Sequence, residues 1–325
     1  MDRLTPAEIS NLWNSYVGNT MGIYASRHFI ATTQDEDILE MLKLAEKFAV
    51  EESIQSKHLL EKAGQPLPQP FDENDVNIQA KPLFTDNYIV LLKYSLAQAA
   101  MTVYALSLNT STLADIRYFY KECLDNTAVL LNHCVDLMIK KGLNHPEVHI
   151  PTPKTIEKVE NQKYLAGWFT NRRSINAQEI GLLVYNYHAT EIHKEFIKGA
   201  AKITKSNELK RHFQQGVEMF QKHLNALQSV LSENGLPNLP TWESEILDID
   251  ISPFSDRIMH YKHSALTSQA AARYGAALSC VMRKDIGALY MRLMGETLLY
   301  GEDAANLLII NKFLDQLPMA EGNEK

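Results

Sequence analysis

Glu191, His223 and Glu296 are the residues of this chain whose types could do metal chemistry. Carboxylates suit a hard cation, and an imidazole adds affinity for iron, manganese or zinc. His188 precedes Glu191 by three residues, so on a helix both can face one side. The spacing allows these groups to converge at one level of a helix bundle as a mononuclear site. The competing expectation is a buried polar network, in which a histidine paired with a carboxylate satisfies both groups without metal. In the first half of the chain the matching positions hold Thr20, Glu52 and Asn126-Thr127, with Gln98 from a third helix. That is one acid among neutral groups, read as a buried Glu hydrogen-bonded to polar neighbours. A di-iron bundle needs a Glu from each of two helices and Glu-x-x-His from each of the other two. Neither half carries Glu-x-x-His at the middle of its second or fourth helix. No cofactor is therefore expected; the alternative is one iron, manganese or zinc ion in the second half. His260 and His263, spaced i, i+3 with no carboxylate seam beside them, are expected on a solvated face. His28, His58, His133, His193 and His212 receive no role, and the recurring tyrosines Tyr16/Tyr187, Tyr104/Tyr274 and Tyr120/Tyr290 read as core.

The halves can be matched because the chain is a duplication. Glu8-Ile9 and Glu179-Ile180, Tyr16 and Tyr187, Gly64 and Gly235, and Pro82 and Pro253 share an offset of 171 residues; Asp86 and Asp256, Tyr104 and Tyr274, Asp115-Ile116 and Asp285-Ile286, and Thr127 and Thr297 share an offset of 170. One deletion separates the two registers.

Each copy reads as four long helices. Thr5-Pro6-Ala7-Glu8 and Asn176-Ala177-Gln178-Glu179 are N-terminal signals, with a capping side chain and a Glu three residues later. The first helix is expected to end near Ala31 (Ile203 in the second copy). The second runs from Asp35 to Gly64 (Asn207 to Gly235), the third from Asn87 to Leu108 (Arg257 to Val281), and the fourth from Leu113 to Lys141 (Lys284 to Phe313). Helices one and two, and three and four, are joined by short links and must be antiparallel neighbours. About 22 residues join helices two and three, a span of up to ~70 Å against a helix of roughly 40 Å. Seven of the twelve prolines fall in these two long links. Two hairpins joined by one long crossover is the ferritin-like arrangement. The expectation is all-α: two tandem four-helix ferritin-like bundles over 1–142 and 175–318. The link 143–174, with Pro146, Pro151, Pro153, Tyr164, Trp168 and Phe169, is expected to be partly packed.

The 325 residues carry a net charge of −7, which disfavours nucleic-acid binding through a basic surface. Mean hydropathy is −0.23, and no uninterrupted apolar run of membrane-spanning length is seen, so no span is expected. The N-terminus lacks a secretory pattern. Cys123 and Cys134 would sit roughly 16 Å apart on one helix, too far to bridge, and Cys280 stands alone. A cytoplasmic setting is the expectation. No nucleophile elbow, phosphate loop or dinucleotide fingerprint occurs.

The tandem copies, with Gly64-Gln65-Pro66 and Gly235-Leu236-Pro237 opening the crossovers and Phe71 and Trp242 following, resemble an uncharacterised tandem ferritin-like family of spore-forming bacteria. That family is distantly similar to the spore coat protein F type. The resemblance covers nearly the whole chain. It implies the ferritin-like fold and no established activity, and it carries over no catalytic residue; a stress or sporulation setting, cytoplasmic or spore-associated, is the expected context. The reading is a non-enzymatic helical protein with a structural or interaction role, self-associating or binding protein partners. The alternatives are a metal-dependent oxidase in the second copy and a small-ligand binder in a bundle cavity.

Overall fold

The structure, a computed structural model, describes residues 3–144, 147–168 and 172–320. Eight helices run α1(Pro6–Thr32), α2(Glu36–Lys62), α3(Asp86–Thr110), α4(Ala114–Lys140), α5(Ala177–Ile203), α6(Asn207–Glu233), α7(Asp256–Cys280) and α8(Lys284–Ile310). Among the described residues there is no strand beyond two isolated bridges. The fold is all-α, with a four-helix set in each copy and a long link between its second and third helices.

The helix starts follow from capping. Thr5 and Glu8 form a capping box on α1, and Asn176 and Glu179 form one on α5. Asp35 and Ser206 cap α2 and α6. Past the ends of α2 and α6, Gly64 and Gly235 adopt φ +69° and +71°, a left-handed turn that a Cβ would strain.

The capping glutamates also tie helices together. Glu8 Oε1 accepts from Thr112 N at 2.7 Å and Leu113 N at 2.9 Å, at the turn into α4. Glu179 Oε1 accepts from Met282 N at 3.3 Å and Arg283 N at 3.0 Å, at the turn into α8. Both carboxylates are buried. Burial raises their pKa values, yet the hydrogen bonds outweigh it and hold each at about 2.

In the first copy α1 packs on α2, α3 on α4, α2 on α4 and α1 on α3. Leu12, Tyr16, Leu60, Tyr104, Ile116 and Tyr120 meet in one core cluster. In the second copy α5 packs on α6. Side-chain bonds join α5 to α7 and α6 to α8. α3 is the one described helix long and apolar enough to cross a membrane, with mean hydropathy 1.4 over its best 18 residues. It is packed on α1 and α4 here, with Lys93 buried inside it and donating to Ser26 Oγ at 2.7 Å.

Compactness and repeat do not divide the chain at the same residues. One compact unit contains residues up to Leu143 together with Glu245–Met259 and the chain from Leu308; the other contains Asn144–Ser244 and His260–Leu307. Within the first unit the two crossovers pair. Asn77 N donates to Pro253 O and Ser255 N to Asp75 O, both at 2.9 Å. Thr85 N donates to Glu245 O at 3.0 Å, and Leu247 N to Leu83 O at 2.8 Å. Asp75 also holds Arg257 at 3.0 Å.

The link between the copies packs at its C-terminal end. Arg173 lies 3.9 Å over the Tyr164 ring and binds Glu179 through both carboxylate oxygens. Ile156 and Val159 upstream, and Trp168, are exposed. Pro146 and Phe169 lie outside the described residues.

Candidate functional site

Glu52 stands on α2, which the 4-3 apolar spacing turns toward the bundle interior. Its Oε2 accepts from Tyr104 Oη at 2.7 Å, and its Oε1 accepts from Asn126 Nδ2 at 3.4 Å. Asn19 Nδ2 donates to the same tyrosine oxygen at 3.4 Å. Burial pushes the carboxyl up to about 6, against the hydrogen bonds. Of the expected partners Thr20, Gln98, Asn126 and Thr127, Asn126 is the one bonded to Glu52 here. Thr20 and Thr127 instead bond to the backbone carbonyls of Val17 and Cys123. A cleft of about 450 Å³ opens over Glu52, with Glu51, Glu122 and Asp125 around it and Phe119 and Cys123 behind.

The second copy rebuilds this node with different chemistry. Tyr274 replaces Tyr104 in register, His223 replaces Glu52, Glu296 replaces Asn126 and Thr190 replaces Asn19. Thr190 Oγ1 and Tyr274 Oη are 2.9 Å apart, Tyr274 Oη and His223 Nδ1 3.3 Å, and His223 Nε2 and Glu296 Oε2 2.9 Å. One assignment of protons satisfies the chain with a neutral ring: Thr190 donates to Tyr274, Tyr274 to Nδ1, and Nε2–H to the carboxylate. Burial lowers the His223 pKa, opposed by Glu296. The imidazole is buried while the Glu296 side chain is 41% exposed, so the pair reaches from core to surface.

Of the residues singled out for metal, His223 and Glu296 are thus brought together. Glu191 is not brought to them. Its Oε1 accepts from Trp242 N at 3.0 Å, and its Oε2 lies 3.0 Å from Lys194 Nζ. Lys194 also meets Glu195 at 3.0 Å and donates to Gln221 at 2.9 Å, all inside the unit. His188 is half-buried and edge-on to Tyr187. Among the described residues no group of three His, Cys, Asp or Glu side chains is placed to hold a metal ion.

The largest departure from expectation is His260 and His263. They are fully buried rather than solvated, and they join His193 and His212, to which no role was given. His193 Nε2 is 3.1 Å from His263 Nδ1, and His263 Nε2 is 3.0 Å from Tyr300 Oη. Tyr300 donates to His212 O at 2.9 Å. That last bond sets the direction: the Tyr300 oxygen accepts from His263 Nε2–H, so His263 Nδ1 accepts from His193 Nε2–H. His193 Nδ1 is left without a hydrogen-bond partner, as is His212 Nε2. Tyr300 stacks on His212 at 4.3 Å, and Phe213 and Phe220 fill the gaps. Gly216 on α6 makes room, because a Cβ there would collide with the Tyr300 hydroxyl. Burial pushes His193 down to about 3 and His212 to about 4, and drives His263 well below the usual range. All are neutral at pH 7.

The family description "Protein of unknown function (DUF3231)" matches residues 1–156 and again 163–325. The chain belongs to the DUF3231 family. It carries two DUF3231 repeats, as the 171/170 offset requires. No curated protein matches it. A solved structure from Bacillus halodurans C-125, described as a "putative spore coat protein", matches at 20% identity with a TM-score of 0.40. The match covers 48% of this chain and 98% of the other; at that level it carries no argument about role.

The two DUF3231 repeats supply the signal that sequence reading missed. In register, His193, His212, His260 and Tyr300 match Gly22, Met41, Val90 and Leu130, while Gly216 matches Ala45. A position that is apolar in one repeat is interior in both. Reading His193, His212 and His260 against their counterparts would have buried them; His263 matches Lys93, a polar residue that gives no such signal.

Proposed function

We propose that the protein is a non-enzymatic helical protein that works by associating with other protein surfaces. The observation that supports this is the outward face of the last helix in each repeat. On α4 it carries Lys121, Asp125 and Lys140, with Lys121 and Asp125 paired at 2.6 Å. On α8 the same register holds Met291, Gly295 and Ile310. Met291, Leu298, Leu299, Ile309 and Ile310 are each 56–69% exposed. Their spacing of i, i+7, i+8, i+18 and i+19 places them in one stripe. An exposed apolar stripe, here interrupted by Glu302 and Asn306, marks an interaction site; the α4 face also exposes Val129 and Ile139, but sets Lys121 and Lys140 where α8 has Met291 and Ile310.

The interior supports the same reading. Glu191 is engaged by Lys194 and the Trp242 backbone, and His223 by Glu296 and Tyr274. We set the association in a cytoplasmic, spore-associated context, a reading that the unpaired cysteines and the family resemblance support and that a fluorescent fusion followed through sporulation tests. The decisive experiment is cross-linking mass spectrometry in the native cell on wild type, the Leu298→Glu/Leu299→Glu variant and an α4 control, Val129→Glu. Cross-links to α8 that vanish only in the α8 variant are expected. Equal cross-linking in all three, or stoichiometric iron, manganese or zinc with oxidase activity, overturns the proposal.

A further inference from the structure

We propose that the α8 face pairs with a second copy of this chain, helix against helix and antiparallel, about a two-fold axis between Leu298 and Leu299. This rests on the association reading above and adds the partner and the geometry.

Charge selects the orientation. Arg292 and Glu302 are exposed on α8 beside and within the apolar stripe. In a parallel pair, Arg292 would face Arg292 and Glu302 would face Glu302, which repel. In the antiparallel pair residue i lies opposite residue 597 − i of the other copy. Glu302 then lies opposite Gly295, and Arg292 of the other copy is three residues away, about 4.5 Å along the axis. Each arginine thus reaches the opposing glutamate, twice per dimer.

Shape agrees with charge. In the same register Leu298 meets Leu299, and Ile309 meets Ala288. Glu302 meets a glycine, which leaves space for its stem while the carboxylate turns to the arginine. Away from the Leu298–Leu299 centre, Ile309 faces Ala288 and Ile310 faces Gly287, which lets the helices approach closely there, while Met291 faces Asn306. A two-fold interface of this kind uses one patch twice and closes on itself.

The area is sufficient. The five apolar side chains leave roughly 600 Å² exposed, and the flanking polar residues bring the strip near the ~800 Å² per partner of a standard interface. The equivalent α4 face exposes Val129 and Ile139 but carries Lys121, Asp125 and Lys140 among them, and so offers less apolar surface for a pair.

Sedimentation equilibrium on the full chain from about 1 to 100 μM tests the pairing. A species of twice 36.9 kDa is expected. Leu298→Glu/Leu299→Glu is expected to weaken it at least ~100-fold with unchanged circular dichroism, and Val129→Glu to leave it unchanged. Register is read by cysteine cross-linking in a Cys280→Ser background, since Cys123 and Cys134 are buried. Leu298→Cys should cross-link to itself. Met291→Cys should not, but should cross-link when mixed with Asn306→Cys. A monomer at 100 μM, a dimer indifferent to the double glutamate, or self-linked Met291→Cys overturns the antiparallel pair. If the chain is monomeric while α8 cross-links persist in cells, self-pairing falls and the association reading stands; if both vanish, both fall.

Discussion

Tyr104 and Tyr274 occupy the same place in the two repeats, yet one hydroxyl serves a carboxylate and the other an imidazole. The tyrosine is common scaffold; the ionisable partner is exchanged. The exchange reverses the sign of the pH response. Glu52, raised from 4.5 to about 6, binds its proton more tightly folded than unfolded, so the first bundle loses stability as pH rises through that window. The buried histidines of the second bundle bind protons less tightly folded than unfolded, so that bundle loses stability as pH falls below ~6.5. A duplicated scaffold can therefore keep its packing while its two exchanged nodes, Glu52 and His223, answer acid in opposite directions.

The most forceful way to break this contrast is acid. His193 and His212, held at about 3 and about 4, should together remove about 3 kcal/mol from the second bundle between pH 6.5 and pH 5, and the lowered His263 adds to that loss. In the first bundle only His28 pulls the same way, burial having lowered its pKa. Hydrogen exchange resolved by peptide, at pH 7 and pH 5, should show α5–α8 opening first. Equal loss of protection in both bundles would remove the contrast.

A smaller effect tests what the repeats share. Glu8→Gln and Glu179→Gln should each cost about 3 kcal/mol at pH 7, from carboxylates lowered by roughly 2.5 pKa units. Their contribution is present above the unfolded pKa and fades from pH ~4.5 toward 2. Glu179→Gln should cost the more, because it also releases Arg173. Urea unfolding of both variants gives the order, and a cheaper Glu179→Gln would contradict it.

The smallest shift sharpens the central node. Glu52→Gln should stabilise the first bundle at pH 7 by about 1–2 kcal/mol and flatten its response between pH 4.5 and 6. The gain should vanish below pH 4.5, where the native carboxyl is already protonated. A loss of stability at pH 7 would mean that the hydrogen bonds from Tyr104 and Asn126 outweigh the burial cost.

The helices were legible because their signals are local. Thr5 with Glu8, Asn176 with Glu179, and the glycines at 64 and 235 mark ends within a few residues of those observed. The repeat offset carried each assignment into the second copy. Glu52 was legible as a buried acid, with Asn126 as one partner, but the Tyr104 hydroxyl was hidden because an aromatic at helical spacing looks like core. The partners of Glu191 were hidden for a different reason. Lys194, one turn along α5, and a backbone amide from the crossover compete for it, and spacing cannot rank partners. The histidine core was hidden because four polar residues spread over three helices have no shared local pattern.

The pairing of the two crossovers has a consequence for synthesis. Asp75, Leu83 and Thr85 bond to residues between 245 and 257, so the first unit needs chain that emerges more than 100 residues after α4. At ~5–20 residues per second, α1–α4 must wait roughly ten seconds on the ribosome for those partners. The repeat thus reads in order along the gene but completes out of order. A chain cut at the repeat boundary would leave the first bundle permanently at that waiting stage.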